Sequence, residues 1–358
     1  MEIPRRQFLQ LAAFAAALPV FVRPAQAQGY PTRTVRIIVP LSAGSAADIL
    51  ARRIAHKLSE SWGQPVVVEN KPGAGTTIAA DMVAKAAPDG YTLLINSAAF
   101  ATSAAVYSRL PYDPLKDLAP ITQIAVAPVV LVAAPSLGAK SVNDLVELAK
   151  AKPGGFNFGS AGVGSSTHFA AEQFKLAAGI DATHVPYKGP PEAIVDTMTG
   201  RIHYSMVPLV AALPSIKDGK LLALGVTTAQ RSRALQDVPT LAEGGLQGFE
   251  YQDWWGVFAP GATPREVVDK VGKDVARILV LPDVAEQLLG QGAEARPSAA
   301  DEFAGFVRAK IDAARTVGGE RAHSDGLKRR ALAPCLRLCF GGVGVGQSFR
   351  FKLSNRSF

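Results

Sequence analysis

The segment VRIIVPLSAGSAADILARRIAHKLSESWG, residues 35–63, decides the fold class. It opens as an apolar run, passes through a loop of small residues, and continues with apolar residues at helical spacing as far as Gly63. The expected unit is strand, loop, helix, with the small hydroxylated residues able to cap the helix. The unit recurs in PVVVENKPGAGTTIAADMVAKAAPDG (65–90), YTLLINSAAFATSAAVY (91–107) and FNFGSAGVGSSTHFAAEQFKLAAG (156–179). Alternating β and α elements predict an α/β protein with a mostly parallel sheet covered on both faces.

Further strands are expected at Val129–Ala133, Ala182–Val185, His203–Met206, Leu221–Val226 and Trp255–Phe258. That is too many for one small sheet, so two sheets in two lobes are predicted. The chain would cross near Ile124–Ala134 and return near Tyr251–Phe258. Lobe 1 would comprise residues 28–126 and 250–313, and lobe 2 residues 127–249. Ligands of such folds sit at strand C-termini, which makes the cleft between the lobes the expected site.

The ends of the chain differ from its body. Residues 1–28, MEIPRRQFLQLAAFAAALPVFVRPAQAQ, have a short basic start, an apolar run from Phe8 to Val22 and small residues at Ala25 and Ala27. That pattern reads as a signal peptide cleaved after Ala27, and its apolar run is too short to span a bilayer. Pro4-Arg5-Arg6-Gln7-Phe8-Leu9-Gln10 is also twin-arginine-like. Either export route leads out of the cytoplasm, so a periplasmic protein is expected.

The net charge of +8 does not belong to the body. Residues 1–27 carry +2 and residues 314–358 carry +7, which leaves −1 for residues 28–313. Basic charge therefore gives no ground for nucleic-acid binding. Both cysteines, Cys335 and Cys339, also lie in the last stretch, so the body has no disulfide and no cysteine-based zinc site. No metal or cofactor is expected.

Three loops should face the cleft: Leu41–Asp48, Asn96–Ala99 and Ser160–His168. They are rich in donors and poor in cations. Exposed backbone N–H groups, hydroxyls and helix N-termini together suit an anion, and three or four charge-assisted bonds of roughly 1.5–3 kcal/mol would hold a carboxylate. For any single loop plain helix capping is the better reading, and only convergence of the loops favours binding. Enzyme signatures are missing: there is no Gly-x-Ser-x-Gly elbow, Walker loop or His-Glu-x-x-His helix. A hydrolase using Ser165 and His168 would have them on one helix face but without an orienting acid.

Six ordered blocks resemble the substrate-binding receptors of tripartite tricarboxylate transporters, the Bug family. They are YPTRTVRIIVP (30–40), ENKPGAGTTIAADMVAKAAPDGYTLL (69–94), NFGSAGVGSSTHFAAEQFK (157–175), HVPYKGPPEAIVDTMTG (184–200), KLLALGVTTAQRSRALQDVPTLAEGG (220–245) and WWGVFAPGATP (254–264). The resemblance implies a two-lobed type II periplasmic-binding-protein fold, a monomer, and delivery of a small di- or tricarboxylate or aromatic acid to a membrane permease. A sensory role with a signalling partner is the alternative.

By position, the resemblance assigns the ligand's grip to Ser42, Ala43, Gly44, Ser45 and Asp48 on one side and to Ser160, Gly162, Gly164, Ser165 and His168 on the other, partly through water. Asn96, Ser97, Tyr187 and Lys188 would meet the ligand's far end. Leu-Ser-Ala-Gly-Ser replaces the Phe-Pro-Pro-Gly-Gly usual in relatives. His203 and Val207 stand where relatives often carry Asp, which disfavours a ligand with an ammonium group. The resemblance ends near Ala313, and a frameshift or altered stop codon is the expected origin of residues 314–358.

Overall fold

A computed structural model describes residues 29–107 and 109–323. The expected signal peptide, both cysteines and most of the basic tail lie outside them.

Strand β1 (Val35–Val39) is apolar on both faces because helices cover both, and Val35, Ile37, Ile38 and Val39 are buried. Helix α1 (Ala46–Trp62) starts where the Ser45 hydroxyl accepts the Asp48 N–H at 3.3 Å. It ends at Gly63, whose left-handed φ of 64° lets its N–H close on the Ser59 carbonyl. The unit then repeats through β2 (Val66–Asn70), α2 (Thr77–Ala84), β3 (Thr92–Ser97) and α3 (Ala99–Val106). The sixteen-residue strand β4 (Leu118–Ala133) carries the chain into a second series. That series is α4 (Val142–Ala151), β5 (Phe156–Ser160), α5 (Ser166–Ala178), β6 (Ala182–Pro186), α6 (Pro190–Met198), β7 (Tyr204–Pro208), α7 (Leu209–Lys217) and β8 (Leu222–Val226). The chain returns along β9 (Gln252–Pro260), followed by α8 (Arg265–Leu279), α9 (Pro282–Gly290), the short β10 (Glu294–Ala295) and α10 (Ala300–His323).

The strands form one continuous path, β2-β1-β3-β9-β4-β7-β5-β6, with β8 and β10 also on β4. Within each half the pairs β1–β2, β1–β3, β5–β6 and β5–β7 are parallel. The halves join through antiparallel partners of β4. Residues Leu118–Pro128 face β9, and Val129–Ala133 face β7 and β8. The two expected sheets are thus one curled sheet that changes partners along β4.

Each half has a core on both faces. In the first, Leu50, Ile54, Trp255 and Val271 pack on one face and Phe100, Trp254, Phe258 and Phe303 on the other. In the second, Phe158, Phe174 and Tyr204 oppose Val130, Val207 and Leu213. Helix α10 runs past Ala313 as far as His323, with Phe303, Val307 and Ile311 buried.

Candidate functional site

The loop after β1 is held from beneath by Asp48. One carboxylate oxygen accepts the Gly44 N–H at 2.9 Å, the other accepts Asn70 Nδ2 at 2.9 Å, and Arg52 Nη2 lies 3.0 Å away. Burial opposes ionisation of Asp48, but these partners outweigh it and hold its carboxyl below the ordinary range. Asp48 therefore shapes the loop and is fully engaged in doing so. Ala43 and Gly44 are exposed at the tip, and Ser45 is buried as the cap.

The loop after β5 is built the same way. The Ser165 hydroxyl donates to the Gly162 carbonyl at 2.7 Å and accepts the His168 N–H at 3.2 Å, which caps α5. Thr167 Oγ1 takes the Ala161 N–H at 2.8 Å, and Ser160 Oγ lies 2.6 Å from His184 Nε2. Gly162 and Gly164 hold φ values of 102° and 81° that a side chain would resist. His168 stacks near His184, with ring centroids 4.2 Å apart, and its Nδ1 faces the Gly164 N–H at 3.4 Å. Burial, His168 and Lys175 push His184 down to about 4, so its imidazole is neutral at physiological pH.

Capping therefore accounts for the Ser45 and Ser165 hydroxyls. What remains for an anion is backbone: first-turn N–H groups, which have no acceptor within their own helix. The Ser165 hydroxyl is committed to the Gly162 carbonyl and the backbone N–H of His168.

Each loop makes contacts across the seam between the halves. Ser42 Oγ donates to Glu192 Oε2 in the first turn of α6 at 2.9 Å, and a Cβ on Gly189 would collide with Ser42. Thr102 Oγ1 on α3 donates to the Gly164 carbonyl at 2.7 Å, and Tyr107 Oη lies 3.3 Å from the Val163 carbonyl. A Cβ on Gly75 would strike that same Val163 carbonyl oxygen. Gly75 belongs to a run, Gly73-Ala74-Gly75-Thr76, in which all four residues have positive φ, from 44° to 140°. For buried, β-branched Thr76 at 86° this is a strained conformation, and such strain collects at functional sites. Sequence reading passed over this run; the closely spaced glycines were its only signal.

Ser42 lies against Gly189 and Gly44 against Pro191, while the Tyr187 carbonyl lies against Gly162 and Gly164 lies against Tyr107. Asn96 is buried beside Thr76 at 3.4 Å, and Ser97 Oγ accepts the Ala99 N–H at the start of α3. Tyr187 Oη donates to Asp196 at 2.7 Å, and burial with that carboxylate pushes the phenol up to about 12. Lys188 beside it is exposed. His203 and Val207 make none of these contacts. His203 precedes β7 at the end opposite the loops, where its Nδ1 accepts the Asn157 N–H, and Val207 is packed in the core against β4. Two open cavities flank the seam. One of about 580 Å³ lies between α3, α10 and Phe169, and one of about 460 Å³ lies between β10 and residues 228–233.

Asp253 on β9 was not foreseen. It is buried at the junction of the halves, where Oδ2 accepts the Ser166 hydroxyl at 2.8 Å and Oδ1 accepts the N–H groups of Ala98 at 3.3 Å and Trp254 at 3.0 Å. Burial lifts its carboxyl to about 6 against the pull of these donors.

Comparison with known proteins agrees with this architecture. The family model described as "Tripartite tricarboxylate transporter family receptor" matches residues 50–320. The protein BugT of Bordetella pertussis is 36% identical over 80% of this chain and 89% of its own length. A protein from the tcbD-tcbE intergenic region of Pseudomonas sp. strain P51 is 36% identical over 87% of this chain and 93% of its own. Among solved structures, R. palustris Rpa4515 with adipate superposes with a TM-score of 0.78 at 37% identity, covering 81% of this chain and 98% of that one. MatC from Rhodopseudomonas palustris with bound malate gives 0.77 at 33% identity, covering 81% and 100%. With this periplasmic-binding-protein fold and these likenesses, the chain belongs to the tripartite tricarboxylate transporter family of receptors.

Proposed function

We propose that this protein is a periplasmic receptor that closes on a small di- or tricarboxylate, or an aromatic acid, and delivers it to the membrane subunits of a tripartite tricarboxylate transporter without transforming it. The observation that carries the reading is the meeting of two strand–loop–helix starts, Ser42–Gly44 with the start of α6 and Gly162–Gly164 with α3, across one seam. Helix starts from both halves thus lie at the seam, as an anion bound between closing lobes requires. The adipate and malate held by two similar structures support the same ligand class. In this reading the lobes are residues 28–126 with 250–313 and residues 127–249, the twin-arginine-like segment 1–27 is the export signal, and the ligand's carboxylate sits on the first-turn N–H groups of α1 and α5.

Differential scanning fluorimetry with adipate, malate, citrate and benzoate tests the reading. A true ligand at 100 times its dissociation constant stabilises by about 2.7 kcal/mol and is recovered unchanged. Conversion of the stabilising compound to a product, or the absence of stabilisation by every acid, would overturn it.

A further inference from the structure

We propose that Asp253 and Ser166 form a proton-loaded donor at the start of α5, so that the receptor takes up a proton together with its anionic ligand. The inference deepens the receptor reading above and rests on it. Ser166 is the first residue of α5, the helix whose N-terminus faces the seam, and its single hydroxyl hydrogen is committed to Asp253 Oδ2 at 2.8 Å. While Asp253 is ionised, that hydrogen is unavailable to a ligand, and the buried carboxylate repels any second anion at the same helix start.

Protonation on Oδ2 reverses the bond. Asp253 then donates its new proton to Ser166 Oγ, and the hydroxyl hydrogen of Ser166 turns to the ligand. Oδ1 keeps the Ala98 and Trp254 N–H groups throughout, so nothing else has to move. One proton enters, no covalent bond between heavy atoms changes, and the ligand gains a donor while losing a repelling charge.

The surroundings place the charge change on Asp253. Strands β3 and β4 and helix α3 carry no ionisable side chain, and β9 carries only Asp253. Helix α5 contributes His168, Glu172 and Lys175, and the neighbouring cavity wall contributes Glu250, Tyr251, Arg296, Glu302 and Lys310. Burial already lifts the Asp253 carboxyl to about 6, within reach of neutral pH once a second anion arrives.

Calorimetric titration of the mature protein with adipate and with malate between about pH 6.5 and 8, where both acids are almost entirely dianionic, tests this. Linkage predicts an association constant that falls as pH rises, approaching tenfold per unit, with matching proton uptake seen in buffers of different ionisation enthalpy. In Asp253→Asn the amide copies the protonated acid, with Nδ2 donating to Ser166 Oγ. That variant is expected to bind without pH dependence, as tightly at the upper end as the wild type does at the lower. Ser166→Ala is expected to weaken binding most at the lower end. A slope that persists in Asp253→Asn assigns the proton to another group, His168 first, and overturns the proposal. Binding without a slope in the wild type overturns it while leaving the receptor reading intact, and failure of every carboxylate to bind overturns both.

Discussion

Gly75 limits how closely the two halves approach, because its missing Cβ is the room the Val163 carbonyl uses. Gly75→Ala, at a φ of 57°, is expected to hold the halves apart and to weaken ligand binding at least tenfold by calorimetry. Ser165→Ala acts differently. Its hydroxyl caps α5, so the change is expected to cost about 1 kcal/mol of stability in urea unfolding even without ligand. For Asp253 the sign follows from its raised pKa: between about pH 4 and 6 the folded state holds a proton that the unfolded state has lost. Stability thus rises as pH falls through that window, and Asp253→Asn is expected to raise the melting temperature at pH 7.5 more than at pH 5. Asp48 is opposite in sign; its lowered pKa gives stability that is complete above its unfolded value and lost as pH falls through the folded one. At this scale the sequence disclosed which residues could donate but not which donors were already engaged. Capping, and the Ser166–Asp253 pair, 87 residues apart in the chain, emerge only once the elements pack.

Element boundaries were legible where apolar pattern and turn chemistry agree, as in β1–α1 and β5–α5. Strand β4 read short, beginning at Val129, because its first half carries Pro120, Thr122 and Gln123 and two register shifts against β9. Those bulges break the alternation that sequence reading depends on. The two-residue β10 has no signal of its own, and α10 outlasts its apolar repeat. Helix α10 matters through its first three turns. The Phe303 ring lies against Gly256 on β9, where a Cβ would collide, and the ring packs with Trp254 and Phe258. Phe303→Ala is expected to destabilise the protein by about 3–5 kcal/mol in urea unfolding. Thr102→Val removes the bond from α3 to the Gly164 carbonyl and is expected to reduce affinity severalfold, about 1 kcal/mol, while changing unliganded stability less.

At the scale of the molecule, β4 runs through both halves, paired with β9 in the first and with β7 and β8 in the second, so any closing motion turns on the point where β4 changes partners. Small-angle X-ray scattering is expected to show a smaller radius of gyration when a stabilising carboxylate is added; an unchanged curve would mean that binding and closure are uncoupled. Strands β4 and β9 also set a timetable for the nascent chain. Everything from β5 to β8 lies in one stretch, so that half has nearly all its strands once β8 has been made. The other half has β1, β2 and β3 early but cannot seat β3 against β4 until β9, roughly 160 residues later, slides between them. Until then β3 keeps an open edge, and the first half of the molecule to be synthesised is expected to be the last to complete its sheet.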